Sequence, residues 1–279
     1  MKSLNRWKLS GFGDEIDADP KIQTSVLSAL GASHIEVRSA WNTNIVDLSS
    51  QQLEELNSVL KGEGFGVSAI GSPIGKVDVY QPIELELDRL KSAINACQIL
   101  GSEYIRIFSF YPDATNSEES KTKVLKHMEK FVELAEQENV TLLHENEKEI
   151  FGDTPERILD LVQHLRHPNF KLAWDPANFV QVGVKDMRKT WDTLRDHVVY
   201  LQVKDAMSSD ESVVPAGDGD GEMEYVISSL ADSGYSGFAS MEPHLSSAFS
   251  TGGFSGPSAF GLATRKFRQL VERHDVELI

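Results

Sequence analysis

Four side chains that carry oxygen donors each stand at the end of a short apolar run in the second half of the chain. They are Glu145, Asp175, Gln202 and Glu242. If the runs are neighbouring parallel strands, their carboxyl ends meet on one side of the sheet and the four side chains converge. Three carboxylates so close together repel one another unless a cation neutralises them or some are protonated. The alternative is that these residues are ordinary solvated loop acids. That interpretation is weaker for four consecutive strand ends than for a single one.

An all-oxygen donor set favours a hard cation. Carboxylate and amide oxygens suit Mg²⁺ or Mn²⁺ first, with Co²⁺ or Zn²⁺ as further options. The string Asp218-Gly219-Asp220-Gly221 looks like a calcium loop, but it lacks the remaining ligands and the spacing of one. We therefore predict one divalent ion, Mn²⁺ or Mg²⁺ before the others, at the four strand ends.

The elements that must position these residues recur as strand–helix units. Each apolar run is followed by a polar loop and then by a segment of helical periodicity, with run starts roughly 25 to 40 residues apart. Eight such units favour a single (β/α)8 TIM barrel of the α/β class. The predicted strands are Leu9–Phe12, His34–Val37, Gly66–Ile70, Tyr104–Phe108, Thr141–Glu145, Lys171–Asp175, Val198–Val203 and Phe238–Glu242.

An open doubly wound sheet is the alternative fold. It would place a Gly-x-Gly-x-x-Gly turn after the first strand, and Gly11-Phe12-Gly13-Asp14-Glu15 lacks that turn. Helix boundaries are expected at Ser49 or Ser50, at Thr154 ahead of a proline, and at Gly101. No linker or low-complexity tract interrupts the chain, so one domain is expected over residues 1–279.

Composition excludes several classes of partner. Lys and Arg total 27 against 43 Asp and Glu, a net charge of −16. A field of that sign repels phosphate backbones and anionic lipids, so we expect neither nucleic acid nor membrane as a partner. The chain starts without a secretory h-region, it has no run of about 18 apolar residues, and Cys97 is its single cysteine. A cytoplasmic protein is therefore expected.

In seven short motifs the sequence resembles the xylose isomerase-like barrel superfamily, particularly its sugar phosphate isomerase/epimerase branch. The resemblance covers essentially the whole chain. The motifs that carry it are His34-Ile35-Glu36-Val37-Arg38, Gly71-Ser72-Pro73-Ile74-Gly75-Lys76, Val140–Glu147, Trp174-Asp175-Pro176-Ala177-Asn178-Phe179, Gln202-Val203-Lys204-Asp205, Pro215-Ala216-Gly217-Asp218-Gly219 and Met241-Glu242-Pro243-His244.

The resemblance implies a metal site and a reaction. The metal ligands would be Glu145, Asp175, Gln202 and Glu242, although the family usually has histidine at the position of Gln202. The family's epimerases also have a histidine shortly after the strand-six aspartate, where this chain has Asn178. Proton abstraction beside a carbonyl, through a metal-stabilised enediolate, is the chemistry that such a site performs well. The resemblance makes Glu145 and Glu242 the catalytic acid/base pair.

Further polar residues near the strand ends are candidates for binding substrate. Lys204 lies on the same face of its strand as Gln202, and it could steady an oxyanion or pair with Asp205. Glu36 and Arg38 could bind hydroxyls or pair with each other, and Lys76 and Arg106 are candidates for an anionic group. The full set is Glu36, Arg38, Ser72, Lys76, Arg106, Glu147, Asn178, Lys204 and His244.

The leading functional prediction is a metal-dependent isomerase or epimerase of a sugar or related hydroxy-ketone, with a small-molecule sugar or polyol as its partner. An inosose or polyol dehydratase would use the same ligands, and a non-catalytic sugar-binding barrel is a further alternative. A nuclease of the endonuclease IV type is disfavoured, because it needs a histidine-rich multi-metal cluster and a basic groove, and the chain has 8 histidines and a net charge of −16. A homodimer is a further expectation from the resemblance.

Overall fold

A curved parallel sheet forms the centre of the protein. The structure, a computed structural model, describes residues 4–115, 117–245 and 255–279. All eight predicted strands are present, with boundaries shifted by at most a few residues. They are β1 (Asn5–Gly11), β2 (His34–Val37), β3 (Gly66–Gly71), β4 (Tyr104–Ile107), β5 (Thr141–Glu145), β6 (Phe170–Trp174), β7 (Val198–Val203) and β8 (Phe238–Met241).

The strand order closes the sheet into a barrel. Neighbouring strands run from β2 through β3, β4, β5, β6, β7 and β8 to β1. A parallel bridge between Phe12, just after β1, and Glu36 in β2 joins the two ends. A short ninth strand, β9 (Val276–Leu278), pairs with the start of β1, and the sequence patterns did not predict it. The (β/α)8 TIM barrel is confirmed, and the open doubly wound sheet is not adopted.

Helices surround the sheet and connect its strands. They are α1 (Pro20–Ala29), α2 (Ser50–Gly62), α3 (Ile83–Leu100), α4 (Ser117–Gln137), α5 (Pro155–Leu165), α6 (Pro176–Gln181), α7 (Met187–Leu194), α8 (Met223–Asp232) and α9 (Gly256–Glu272). In the part of the chain that the structure describes, no helix is long and apolar enough to cross a membrane.

Local sequence signals account for several helix ends. Ser49 caps α2 in a capping box with Gln52, in which each side chain satisfies a backbone N–H of the other residue. Gly101 ends α3 with φ of 74°, a left-handed conformation that costs glycine little. Thr154 stands at the cap position of α5, but its side chain makes no capping hydrogen bond. There the proline at the first helical position is the effective start signal.

The inside of the barrel is only partly apolar. Ala69, Leu143, Ala173 and Tyr200 form a small buried cluster there, separate from the main core between helices and sheet. The Tyr200 hydroxyl extends from this cluster into a chain of buried polar groups, starting with Ser68 Oγ at 2.9 Å. The polar chain leads toward the carboxyl ends of the strands, where the candidate site lies.

Candidate active site

Three carboxylates converge at the carboxyl ends of the barrel strands. Glu145 is the last residue of β5, Asp175 follows β6 and caps α6, and Glu242 follows β8. One oxygen from each carboxylate lies within 4.8 Å of the others. Their residues are only 1%, 0% and 2% exposed, respectively. The convergence expected from the sequence is therefore present, and it is shielded from water.

Gln202 belongs to the same layer of the barrel. Trp174 in β6 pairs with Leu201 in β7, which puts Asp175 and Gln202 next to each other in register. Gln202 also stands opposite Ser240 of β8, whose hydroxyl points into the barrel. Among the described residues, neither the amide oxygen nor the amide nitrogen of the buried Gln202 side chain has a hydrogen-bond partner. Because buried polar atoms are normally paired, this amide is suited to contact a bound ion or ligand.

Lys204 places an ammonium group among the carboxylates. Its Nζ lies 2.7 Å from Asp175 Oδ2 and 3.2 Å from Glu242 Oε2, and its side chain is 6% exposed. Burial alone would lower the pKa of Lys204, but the charges of Asp175, Glu242 and Glu145 outweigh it and raise that pKa. The ammonium therefore stays charged. The alternative that Lys204 pairs with Asp205 was wrong, since the ammonium contacts Asp175 and Glu242.

Asp205 has a different role. Its carboxylate accepts hydrogen bonds from the backbone N–H groups of Gly217, Gly219 and Gly221 at 2.9 to 3.2 Å. A Cβ at Gly219 would lie 2.5 Å from Asp205 Oδ1, so the loop can approach the carboxylate only because this residue is glycine. The glycine-rich segment thus forms a turn around an internal anion, and its amides are already occupied.

Two arginines complete the electrostatics of the site. Arg106 Nη1 lies 2.8 Å from Glu145 Oε2, and Arg38 Nη1 lies 2.9 Å from Glu242 Oε1. Burial raises the pKa of Glu145 by more than Arg106 lowers it. For Glu242 burial is again the largest single effect, but the surrounding positive charges together outweigh it and lower its pKa. Both glutamates are thus paired, yet their proton affinities are shifted in opposite directions.

Glu36 is fully buried inside the barrel. It accepts hydrogen bonds from the Tyr200 hydroxyl at 2.8 Å and from Ser240 Oγ at 2.6 Å. The alternative that it pairs with Arg38 was wrong, because Arg38 donates to Asp14, Glu15 and Glu242 instead. Burial raises the pKa of Glu36 to about 7.

The other predicted substrate residues fall into two groups. Lys76 pairs with Glu147 at 2.7 Å, and Asn178 Nδ2 donates to Glu145 Oε1 at 3.2 Å, so these residues lie beside the carboxylates. Ser72 Oγ donates to the backbone oxygen of Arg106, which makes it a support for the arginine. Lys76 and Arg106, considered as binders of an anionic group, both already contact a carboxylate of the chain.

His244 and a residue missed by the sequence patterns form the edge of the site. His244 Nε2 lies 3.2 Å from Glu15 Oε1, and its Nδ1 lies 3.6 Å from Glu242 Oε1. Burial lowers the pKa of His244 to about 3, so its ring is neutral. Glu15 follows β1 at the same end of the barrel, is 0% exposed, and has its pKa raised to about 7 by burial. The strand-end argument applied to β1 would have found it.

Comparisons with known proteins agree with this architecture. The model of the family described as xylose isomerase-like TIM barrel matches residues 25–277. Comparison with curated protein sequences gave no match. A crystal structure of the IOLI protein with a zinc atom superposes with a TM-score of 0.76 at 16% identity, covering 96% of this chain and 99% of that one.

Two further solved structures are similar at the level of fold. A D-tagatose 3-epimerase-like protein has a TM-score of 0.75 at 15% identity, over 96% of this chain and 98% of that one. The probable 3-DHS dehydratase AsbF from Bacillus anthracis, involved in petrobactin synthesis, has a TM-score of 0.74 at 17% identity, over 93% of this chain and 98% of that one. From the extent of the family match and the closed barrel, the chain belongs to the xylose isomerase-like TIM barrel family.

Proposed function

We propose that the protein is a divalent-metal-dependent isomerase or epimerase of a sugar or a related hydroxy-ketone, acting by proton transfer next to a carbonyl. The observation that carries the proposal is the group of three buried carboxylates within 4.8 Å of one another. The proposal also draws on the family, whose similar structures include a D-tagatose 3-epimerase-like protein and an L-ribulose 3-epimerase.

The donor set fits a divalent ion. Glu145, Asp175 and Glu242 supply carboxylate oxygens, and Gln202 supplies an amide oxygen that has no partner among the described residues. Oxygen donors favour Mn²⁺ or Mg²⁺, and Zn²⁺ or Co²⁺ are compatible. The zinc atom in the similar IOLI structure supports the general idea that a protein of this fold binds a metal. When bound, the ion would act as a Lewis acid for the substrate carbonyl.

Glu145 and Glu242 are suited to exchange protons with substrate because each is held by two donors. Arg106 and Asn178 bind separate oxygens of Glu145. Glu242 is held by Arg38 on one oxygen, while its other oxygen contacts Lys204, whose place a bound ion would take. Such clamping fixes the orientation of a carboxylate, which acid/base catalysis requires. Since the two glutamates stand at the ends of β5 and β8, with two strands between them, they approach the centre from different sides.

A dehydratase is the second candidate. The similarity to the probable 3-DHS dehydratase AsbF favours it, since dehydration of a hydroxy-ketone can begin with the same removal of a proton beside a carbonyl. In that reaction one glutamate would take the proton and the other would protonate a departing hydroxyl group. The two reactions differ in the mass of the product. The product of an isomerase or epimerase has the same mass as the substrate, whereas the product of a dehydratase is lighter by one water.

The test is hydrogen exchange in heavy water. The purified protein, loaded with Mn²⁺, is incubated with a set of ketoses and inososes in D₂O, and products are followed by proton NMR and mass spectrometry. We expect deuterium at the carbon beside the carbonyl, and a loss of at least about 10²-fold in exchange rate for Glu145→Gln or Glu242→Gln. Glu149→Gln, an exposed residue of the same strand-end loop, is the matched control and should keep the wild-type rate.

Each outcome selects a function. Label without loss of mass supports the isomerase or epimerase, and label together with loss of water supports the dehydratase. If no metal-loaded sample exchanges any substrate of the set, the proposed enzyme is rejected in favour of a sugar-binding barrel. Equal rates for the wild type and both glutamate variants would reject the assigned acid/base pair.

A further inference from the structure

Lys204 lies inside the group of carboxylates to which we assign the metal. Its Nζ is 2.7 Å from Asp175 Oδ2 and 3.2 Å from Glu242 Oε2. Both carboxylates belong to the three whose oxygens lie within 4.8 Å of one another. An ion held by these residues would therefore compete with the ammonium for the same carboxylates.

The contact between Lys204 and Asp175 depends on charge more than on hydrogen-bond geometry. Although Lys204 Nζ lies only 2.7 Å from Asp175 Oδ2, the angles of this contact are poor for a hydrogen bond. The other oxygen of Asp175 is engaged by the backbone N–H of Asn178 at 3.1 Å. Because the ammonium is not aligned for a hydrogen bond, Asp175 Oδ2 can still accept a ligand that approaches in a better direction.

The lysine is also the cation of the site that can move most easily. Arg38 is held by Asp14, Glu15 and Glu242, and the Arg106 guanidinium contacts both Glu145 and a backbone oxygen. Lysine instead has one point charge on a flexible four-carbon stem.

The pairing of the three carboxylates predicts competition. Glu145 is already paired with Arg106, Asp175 with Lys204, and Glu242 with Arg38 and Lys204. A divalent ion would add two positive charges at close range to the ammonium, and in a buried site such repulsion is screened weakly.

We infer that Lys204 is an exchangeable internal counter-ion, which competes with a divalent metal for Asp175 and Glu242 and so sets how tightly the site binds it. This inference rests on the metal site of the proposed function. It concerns the affinity for the ion and not the reaction.

The test compares two variants that remove the same charge. Lys204→Met frees the two cluster carboxylates, whereas Lys76→Met removes a lysine at the same end of the barrel whose partner, Glu147, lies outside the cluster. Mn²⁺ binding to chelator-treated protein is measured by calorimetry at one pH and ionic strength. We expect Lys204→Met to bind Mn²⁺ at least about tenfold more tightly than the wild type, and Lys76→Met to stay within about threefold.

The outcomes separate this inference from the proposed function. If the wild type binds Mn²⁺ and Lys204→Met binds equally or more weakly, the competition is rejected and the metal site stands. A similar gain in both variants would also reject it, because a general charge effect would then explain the result. If neither the wild type nor Lys204→Met binds Mn²⁺, the inference and the proposed metal fail together.

A second measurement needs no variant, in case Lys204→Met does not fold. A crystal structure of the wild-type protein with Mn²⁺ should show Lys204 Nζ displaced to beyond about 4 Å from Asp175 Oδ2. If the ion binds the three carboxylates while the 2.7 Å contact persists, the competition is rejected.

Discussion

Glu145 and Glu242 are both buried carboxylates, but they are stabilised by donors of different charge. Each glutamate is buried at a strand end and held through both oxygens. Glu145 receives one guanidinium and one neutral amide, from Arg106 and Asn178. Among the described residues, Arg106 is the one Lys or Arg side chain within 4.0 Å of it.

Glu242 receives two full positive charges. Arg38 contacts one of its oxygens at 2.9 Å and Lys204 the other at 3.2 Å. The result is that the pKa of Glu242 is lowered, whereas burial raises the pKa of Glu145. The comparison shows that donors of different charge give two residues of one type different proton affinities, which is how enzymes separate an acid from a base.

The largest expected effect comes from removing the single strong counter-ion of Glu145. Arg106→Met would leave a buried carboxylate without its cation, and we expect the free energy of unfolding to fall by about 3 to 5 kcal/mol in urea titrations at pH 7. The control is Arg188→Met, which removes an ion pair whose two side chains are 61% and 40% exposed, and we expect it to change stability little. Equal losses for the two variants would show that Glu145 does not depend on Arg106.

A pH effect of intermediate size is expected from Glu36, which feels the charges of both regions through Arg106 and Glu242. Burial raises its pKa from 4.5 to about 7, so the folded state favours the protonated carboxyl. The corresponding stability is fully present below about pH 4.5 and is lost as pH rises through about 7, a change of about 3 kcal/mol at about 1.4 kcal/mol per pKa unit.

Glu36→Gln should therefore make the decline in stability between about pH 4.5 and 7 smaller by about 3 kcal/mol, while the buried Glu15 and Asp175 still contribute to it. The measurement is the urea-unfolding free energy of both proteins across that range, with Glu149→Gln again as the exposed control. Parallel pH profiles for wild type and Glu36→Gln would contradict the assignment of this titration to Glu36.

The smallest effect is expected from the neutral donor. Asn178→Ala removes hydrogen bonds to Glu145 Oε1 at 3.2 Å and to the backbone oxygen of Asn146 at 2.8 Å. We expect the free energy of unfolding to fall by about 1 to 2 kcal/mol. Deuterium exchange of the substrate should still be measurable, unlike in Glu145→Gln. A loss as large as that of Arg106→Met would mean that the amide, and not the guanidinium, is the main support of Glu145.

Much of the barrel could be predicted from local patterns. The eight barrel strands were found because apolar runs of four to six residues alternate with long amphipathic segments, and this period repeats along the chain. The cap at Ser49 was found because a capping box depends on residues only three apart. Strand β9 was missed because three residues carry too little pattern, and its position depends on pairing with β1 at the other end of the chain.

Part of the candidate site was predicted as well, because three of its residues follow directly from the positions of the strand ends. Glu145, Asp175 and Glu242 converge as expected, since barrel geometry brings strand ends together whatever the loops do. Glu15 was missed because the segment after the first strand was considered only for a dinucleotide-binding turn, which it lacks.

Local sequence patterns are sufficient to locate the strands and helices and the polar residues at the strand ends, because these depend on neighbours a few positions apart. The ion pairs of the site, in contrast, depend on the folded barrel. Lys204 contacts Asp175 across strands and not the adjacent Asp205, and Arg38 contacts Glu242, 204 positions away. The physical reason is that an ion pair depends on distance in space, which closure and register of the barrel set, and a flexible charged side chain reaches the strongest buried partner rather than the nearest one in the chain.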